Sequence, residues 1–284
     1  MRRTLLAAVA AAASVLTSLT PLPAHASDGV DYVALGDSYS AGSGILPLDP
    51  SAFLLCARTT LNYPHVIASR TGASLTDVTC GGAQTKDFTS SQYLGVAPQF
   101  DALSAGTDLV TLTIGGNDAN VFISAIAACG TAGLTTLGFG NPCQTIYGSY
   151  FDDQIDATVA PNVAKSLVAL KQKAPNARIA ILGYPWILPA SGGCYLAMPI
   201  AVGDVPYLRA LQAHLNRAVA DAAGAAGVTY VDLAETSDGH DACKPIGTRW
   251  VEPALWGTNF VPVHPNAFGE AQMAAQTLDA LDLG

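Results

Sequence analysis

Short apolar runs alternate with longer amphipathic stretches along this chain. The runs Tyr32–Leu35, Leu75–Cys80, Asp108–Ile114, Arg178–Leu182 and Val228–Leu233 are rich in Val, Ile, Leu and Thr. Their length and composition predict strands. Between and after them, Asn62–Arg70, Ala119–Cys129, Phe151–Ala174, Val205–Ala226 and Asn266–Leu281 carry helical patterning. Gly227 stops the fourth of these and the Pro265-Asn266 turn starts the last. Strands alternating with helices predict an α/β fold: three layers, α/β/α, around a five-stranded parallel sheet buried on both faces. Gly130–Pro142 is expected to be irregular. Trp186–Val202 reads as a long loop with an apolar load that includes Trp186, Ile187, Leu188 and Met198. Loops of that length in compact domains have a reason. Here it is either to wall an apolar ligand pocket or to pack on the core beneath a disulfide.

The first residues stand apart from this pattern. Met1-Arg2-Arg3 is cationic, Leu5–Leu19 is apolar, and Ala24-His25-Ala26 has the small-x-small form of a signal-peptidase site. A secretory leader over residues 1–26, cut after Ala26, is expected, leaving 27–284 as a single domain. No later stretch is long enough to span a bilayer, so stable membrane insertion is not expected. The formal net charge of −9 argues against a nucleic-acid partner, and a monomer is the default. Six cysteines in a chain bound for an oxidising compartment favour disulfides over metal. Sequential pairing, Cys56–Cys80, Cys129–Cys143 and Cys194–Cys243, is expected because each pair staples one loop-rich excursion between strands.

Candidate chemistry collects where the strands end. Ser38 lies just past the Gly36 turn that closes the first strand, beside the free N–H groups of a helix start. A nucleophile needs that exposure and those donors. The second strand runs into Gly81-Gly82, where a backbone N–H can approach a ligand closely. The third runs into Gly115-Gly116-Asn117-Asp118; Asp118 is the natural helix cap, which leaves the Asn117 amide to donate to an oxyanion. His264 falls in the last loop before the final helix. All four positions belong to the carboxyl edge of a parallel sheet, where open α/β folds bind ligands. The glycines after Ser38 lack the Lys-Ser/Thr of a phosphate loop. The serine turn also lacks the second glycine of a Gly-x-Ser-x-Gly elbow, because Ser40 occupies that place. His65, His214 and His240 have no partner spacing and read as structural, and no metal site is expected.

These blocks, Gly36-Asp37-Ser38, Gly82 within Cys-Gly-Gly-Ala, Gly115-x-Asn117-Asp118 and His264, resemble the SGNH (GDSL) hydrolase superfamily in type and order. The likeness runs from Tyr32 to the final helix. The Gly-Asp-Ser-Tyr-Ser-x-Gly wording and the six cysteines are similar to its secreted actinobacterial, Streptomyces-type lipase/esterase branch. The resemblance implies a flavodoxin-like fold and a serine ester hydrolase acting on a lipid or acyl-ester substrate without a cofactor. It further implies Ser38 as nucleophile, His264 as general base and acid, and an oxyanion hole of the Ser38 and Gly82 N–H groups with the Asn117 amide. One position departs from the pattern: the aspartate usual three residues before the histidine is Val261. The expectation is a Ser38–His264 dyad with the carbonyl of Val261 or Pro262 orienting the ring. The rival is a displaced acid from Asp238, Asp241 or Glu252. A phospholipase A-type esterase, a polysaccharide acetyl esterase and a non-enzymatic secreted binding module are the alternative functions.

Overall fold

The computed structural model describes residues 29–284, so the leader expected over 1–26 lies outside the described residues. The chain alternates β1 (Asp31–Gly36), the single turn α1 (Ser38–Ala41), α2 (Tyr63–Thr71), β2 (Ser74–Asp77), β3 (Leu109–Thr113) and α3 (Val121–Thr135). It continues through α4 (Pro142–Tyr147), α5 (Tyr150–Gln154), α6 (Ala160–Lys173), β4 (Arg178–Leu182), α7 (Val205–Ala226), β5 (Thr229–Val231), α8 (Ala234–Ser237) and α9 (Ala267–Ala280). The five strands form one parallel sheet in the order β2-β1-β3-β4-β5. From β1 the chain crosses first to β2 and then back past β1 to β3. That reversal opens a crevice at the carboxyl ends of β1 and β3. Right-handed crossovers then put helices on both faces: α2 packs with α9, and α6 with α7. β3 is buried from Leu109 to Thr113, and β1 and β4 are buried after their first residues, Asp31 and Arg178. Apolar runs there therefore need no polar alternation.

Three sequence-based expectations change, each for a local reason. The second strand ends at Asp77 rather than Cys80, because the Asp77 carboxylate accepts from the Thr79 N–H (2.9 Å) and hydroxyl (2.6 Å) and turns the chain off the sheet edge. The stretch 130–142 is helical over its first part, because α3 runs on to Thr135, and irregular only from 136 to 141, before α4 starts at Pro142. Gly133 sits inside α3 because a Cβ there would lie 2.3 Å from the Pro199 carbonyl oxygen. Its glycine thus serves close packing rather than a turn. The long helix expected over 151–174 is interrupted by a π-helical segment, Ile155–Val159, just before Pro161. Proline has no N–H to give, and a wider turn accommodates the missing bond.

The three disulfides join Cys56 to Cys80, Cys129 to Cys143 and Cys194 to Cys243. The first ties the loop after α1 to the segment entering Gly82, where the Gly81 N–H also donates to the Cys56 carbonyl (2.8 Å). The third anchors the 186–202 loop, whose Ile187, Leu188, Met198 and Ile200 are buried in the core. Among the described residues, no helix is long and apolar enough to cross a membrane.

Candidate active site

The turn that carries Ser38 is built around Gly36. Its φ of 120° belongs to glycine, and a Cβ there would fall 2.4 Å from the Thr113 carbonyl oxygen. Gln99 locks the same residue from outside: its side chain accepts from the Gly36 N–H (2.7 Å) and donates to the Gly36 carbonyl (3.0 Å). Asp37 then caps α1 by accepting from the Tyr39 N–H (3.0 Å). It also accepts from the hydroxyls of Thr113 (2.7 Å) and Tyr184 (2.6 Å). Burial pushes the Asp37 carboxyl up to about 6 against these three donors. The Tyr184 hydroxyl in turn accepts from the Gly116 N–H (2.9 Å), so one phenol joins the serine turn to the Asn117 loop.

The Gly82 and Asn117 loops are tied by Asp118. Its carboxylate accepts from the Thr85 N–H (2.8 Å) and hydroxyl (2.6 Å). Asp118 is therefore a cross-loop brace and not the helix cap expected from its position; the residue flanking α3 is Asn120, with no side-chain cap. Burial raises the Asp118 pKa and the Thr85 bonds oppose that rise. Gly82 adopts φ 76°, a left-handed geometry that glycine takes without strain. The Asn117 amide donates one hydrogen bond to the Ala83 carbonyl (3.2 Å). A primary amide has two N–H groups, so the second remains for a ligand.

His264 reaches this edge from the opposite end of the chain. Its Nε2 lies 2.8 Å from Ser38 Oγ, and its Nδ1 lies 2.7 Å from the Pro262 carbonyl oxygen. A carbonyl only accepts, so Nδ1 carries the proton and Nε2 is the free base facing the serine hydroxyl. Of the two carbonyls expected to orient the ring, Pro262 is the one in contact. The acids considered as a displaced third member are engaged elsewhere. Asp238 pairs with Arg209 (2.6 Å) and Asp241 accepts from the Cys243 N–H (2.9 Å). Glu252 is held by Arg249, by the Asn266 amide (2.8 Å) and by the Thr258 N–H (2.7 Å). Burial alone would raise the Glu252 carboxyl, but these donors outweigh it and hold it below its ordinary range. The His264 ring is 9% exposed. Burial lowers its pKa to about 4, and the Pro262 carbonyl only partly offsets that. The ring is neutral at neutral pH.

His264 is also packed edgewise by Phe122, with ring centroids 6.3 Å apart. Phe122 lines an apolar groove with Ala125, Ile126, Ile187, Leu208 and Leu211, running between α3 and α7. Ile187 comes from the long apolar loop, which thus both packs on the core and supplies a wall. The other histidines are tied into structure. His65 Nδ1 meets the side-chain amide oxygen of Asn62 (2.7 Å), His214 lies between Asp152 and Asp156, and His240 stacks on Trp250. Among the described residues, no group of three or more His, Cys, Asp or Glu side chains is placed to hold a metal.

Several of these partners carry no signal in a single sequence: Gln99, Thr113 and Tyr184 are ordinary strand and loop residues until the fold assembles them. Comparison with known proteins places the arrangement in context. A family model described as "GDSL-like Lipase/Acylhydrolase family" matches residues 34–272. The chain is 59% identical over 290 residues to Lipase 2 of Streptomyces coelicolor, covering all of this chain and 98% of that protein. In structure it is similar to an extracellular lipase from Streptomyces rimosus, with TM-score 0.74 and 30% identity over 89% of this chain and 100% of the other. It is also similar to phospholipase A1 from Streptomyces albidoflavus, with TM-score 0.73 and 28% identity over 89% of this chain and 98% of the other.

Proposed function

The chain belongs to the GDSL-like lipase/acylhydrolase family, a family of carboxylic ester hydrolases, and from that premise we propose that it is a secreted lipase/esterase working through a Ser38–His264 dyad. The observation that carries the reading is the relay from Ser38 Oγ to His264 Nε2 (2.8 Å) and from Nδ1 to the Pro262 carbonyl (2.7 Å). Ser38 Oγ attacks the ester carbonyl carbon while its proton passes to Nε2. The carbonyl π electrons move onto oxygen, which is received by the Ser38 and Gly82 N–H groups and the free Asn117 N–H. Collapse breaks the bond to the alcohol oxygen, which leaves with the Nε2 proton, and an acyl-Ser38 ester remains. Water repeats the sequence and releases the acid. The Pro262 carbonyl fixes the tautomer throughout, but as a dipole it stabilises the imidazolium less than a carboxylate would.

The acyl chain is assigned to the side of Phe122, whose ring packs against His264; the apolar hollow behind that ring is walled by aliphatic side chains but measures about 40 Å³, so it must widen to take a long chain. A phospholipid is the second reading, favoured by the phospholipase A1 to which the structure is similar. The cationic and apolar start of the chain, the cleavage pattern at Ala26 and the three disulfides support export of residues 27–284 as one domain. Hydrolysis of p-nitrophenyl esters from acetate to palmitate, wild type beside Ser38→Ala, tests the proposal. Rates that rise with chain length and vanish in the variant are expected. Equal rates in both proteins would remove the serine mechanism, and activity confined to acetate would remove the acyl groove.

A further inference from the structure

We propose that an uncharged, apolar face beside the catalytic cleft docks the protein onto the surface of a neutral or zwitterionic acyl lipid; the proposal rests on the ester-hydrolase reading above. Residues 119–151, 184–203 and 253–263 contain no Asp, Glu, Lys or Arg, in a chain with 13 basic and 22 acidic residues. The fold stitches these three segments together. The Val202 and Gly203 N–H groups donate to the Gly138 and Gly140 carbonyls (2.9 Å each). The Leu255 N–H donates to the Ala197 carbonyl (3.0 Å) and the Ala254 N–H to Met198 Sδ (3.1 Å). The third segment then leads directly into His264, and Phe122 of the first packs against that ring. The face is therefore continuous with the mouth of the cleft.

What this face presents is unusual for a surface facing water. Leu137, Phe139, Leu196, Leu255 and Trp256 are all exposed, Leu137 at 73% and Trp256 at 74%. Leu137 and Trp256 also stand in the left-handed region, at φ 56° and 58°. Bulky side chains rarely adopt that geometry, and glycine or asparagine would occupy such turn tips with less strain. Neither residue is explained by folding: the backbone conformation disfavours it and the exposure gives nothing back. Contact with an apolar phase would repay both. The occupant is a surface of low net charge, because the face offers no charge to pair and the whole chain is acidic, which opposes approach to an anionic one.

The structure supplies its own reporter. Trp186 and Trp250 are buried, at 9% and 3% exposed, so Trp256 is the one tryptophan of three that meets solvent. Protein carrying Ser38→Ala, mixed with phosphatidylcholine vesicles, should show blue-shifted tryptophan emission and sediment with the vesicles. Replacing part of the lipid with phosphatidylglycerol should weaken both. The double variant Leu137→Asn/Trp256→Asn removes apolar surface while suiting the left-handed backbone. It should lose vesicle affinity by about tenfold or more, keep or raise its melting temperature, and still hydrolyse dissolved p-nitrophenyl butyrate at the wild-type rate. Its rate on an emulsified long-chain ester should fall. Absence of vesicle binding, binding unchanged in the double variant, or self-association of the chain that shields Trp256 without lipid would each overturn the proposal. Failure on the dissolved ester by wild-type protein would instead overturn the Ser38 reading, so the two proposals fail separately.

Discussion

The hydroxyl of Tyr39, the residue after Ser38, donates to the carbonyl of Val263, the residue before His264, at 2.9 Å. Val263 needs holding. Its φ is 60°, a left-handed conformation that a β-branched side chain adopts at a cost of about 1–3 kcal/mol. That conformation turns the chain so that the Pro262 carbonyl faces the ring of a residue only two positions on. The Val263 N–H is fixed as well, by the Glu252 carbonyl (3.1 Å). Strain at Val263 thus gives the histidine a local acceptor where a carboxylate is missing.

Tyr39→Phe should therefore lower kcat by about five- to tenfold, the worth of one buried hydrogen bond, with KM little changed. In a Val263→Gly background, where the left-handed turn costs nothing, the same change should lower kcat much less. Steady-state kinetics on the four proteins of this cycle gives the coupling; independent effects would show that the tether does not act through the turn.

The acid limb of kcat/KM should reflect a base with a pKa near 4. His264 acts only when neutral, so the rate stays level from neutral pH downward and falls as pH drops through about 4. An inflection near 6 that Asp37→Asn removes would assign the limb to Asp37 instead. Asp241→Asn and Glu252→Gln should leave kcat within a few-fold of wild type, because neither carboxylate touches the ring. Collapse of kcat in either, with the fold intact by circular dichroism, would restore a carboxylate to the mechanism.

Asn117→Ala should cost about 10²–10³ in kcat, the range for one lost oxyanion donor, while KM moves little because the donor serves developing charge. Gly82→Ala tests the neighbouring donor differently. A Cβ there meets nothing closer than Gln92 Nε2 at 3.7 Å, so space is not the obstacle. The left-handed backbone is, and relaxing it would move the N–H. A comparable kcat loss with a melting temperature lowered by only a few degrees is the expected result.

Glu270 of α9 is completely buried, with the Tyr63 N–H (2.7 Å) on one oxygen and, among the described residues, no partner on the other. Burial raises its pKa well above the ordinary value, and the nearby Asp77 and Asp37 raise it further. The folded state therefore keeps a proton that the unfolded state releases above about pH 4.3. Stability from this group is lost as pH rises from there through the folded pKa. Glu270→Gln removes the penalty while keeping an acceptor for Tyr63. Its melting temperature should exceed that of wild type at pH 8, with the difference shrinking at pH 4. A lower melting temperature at both would mean that the carboxyl is needed in its charged form.

The amino-acid sequence by itself determined the sheet and the edge at which the candidate residues gather. Strand identity depends on runs of a few neighbouring residues, and β4 and α7 fall on the boundaries read from pattern alone, Arg178–Leu182 and Val205–Ala226. Ser38, Gly82, Asn117 and His264 were legible because each follows a strand or precedes a helix, and parallel topology sends such positions to one side. Where a proline or a packed glycine competes with local periodicity, as at Pro161 and Gly133, the reading failed. Tertiary structure alone decided which groups meet. Asp118 left its expected cap for Thr85, 33 residues away, and Tyr184 bridged to Asp37 across 147. The choice of Pro262 over Val261 as the histidine's acceptor depended on a left-handed valine held by Tyr39, 224 residues distant. No local pattern encodes that choice, because the strained conformation exists only when contacts from the far end of the chain hold it in place.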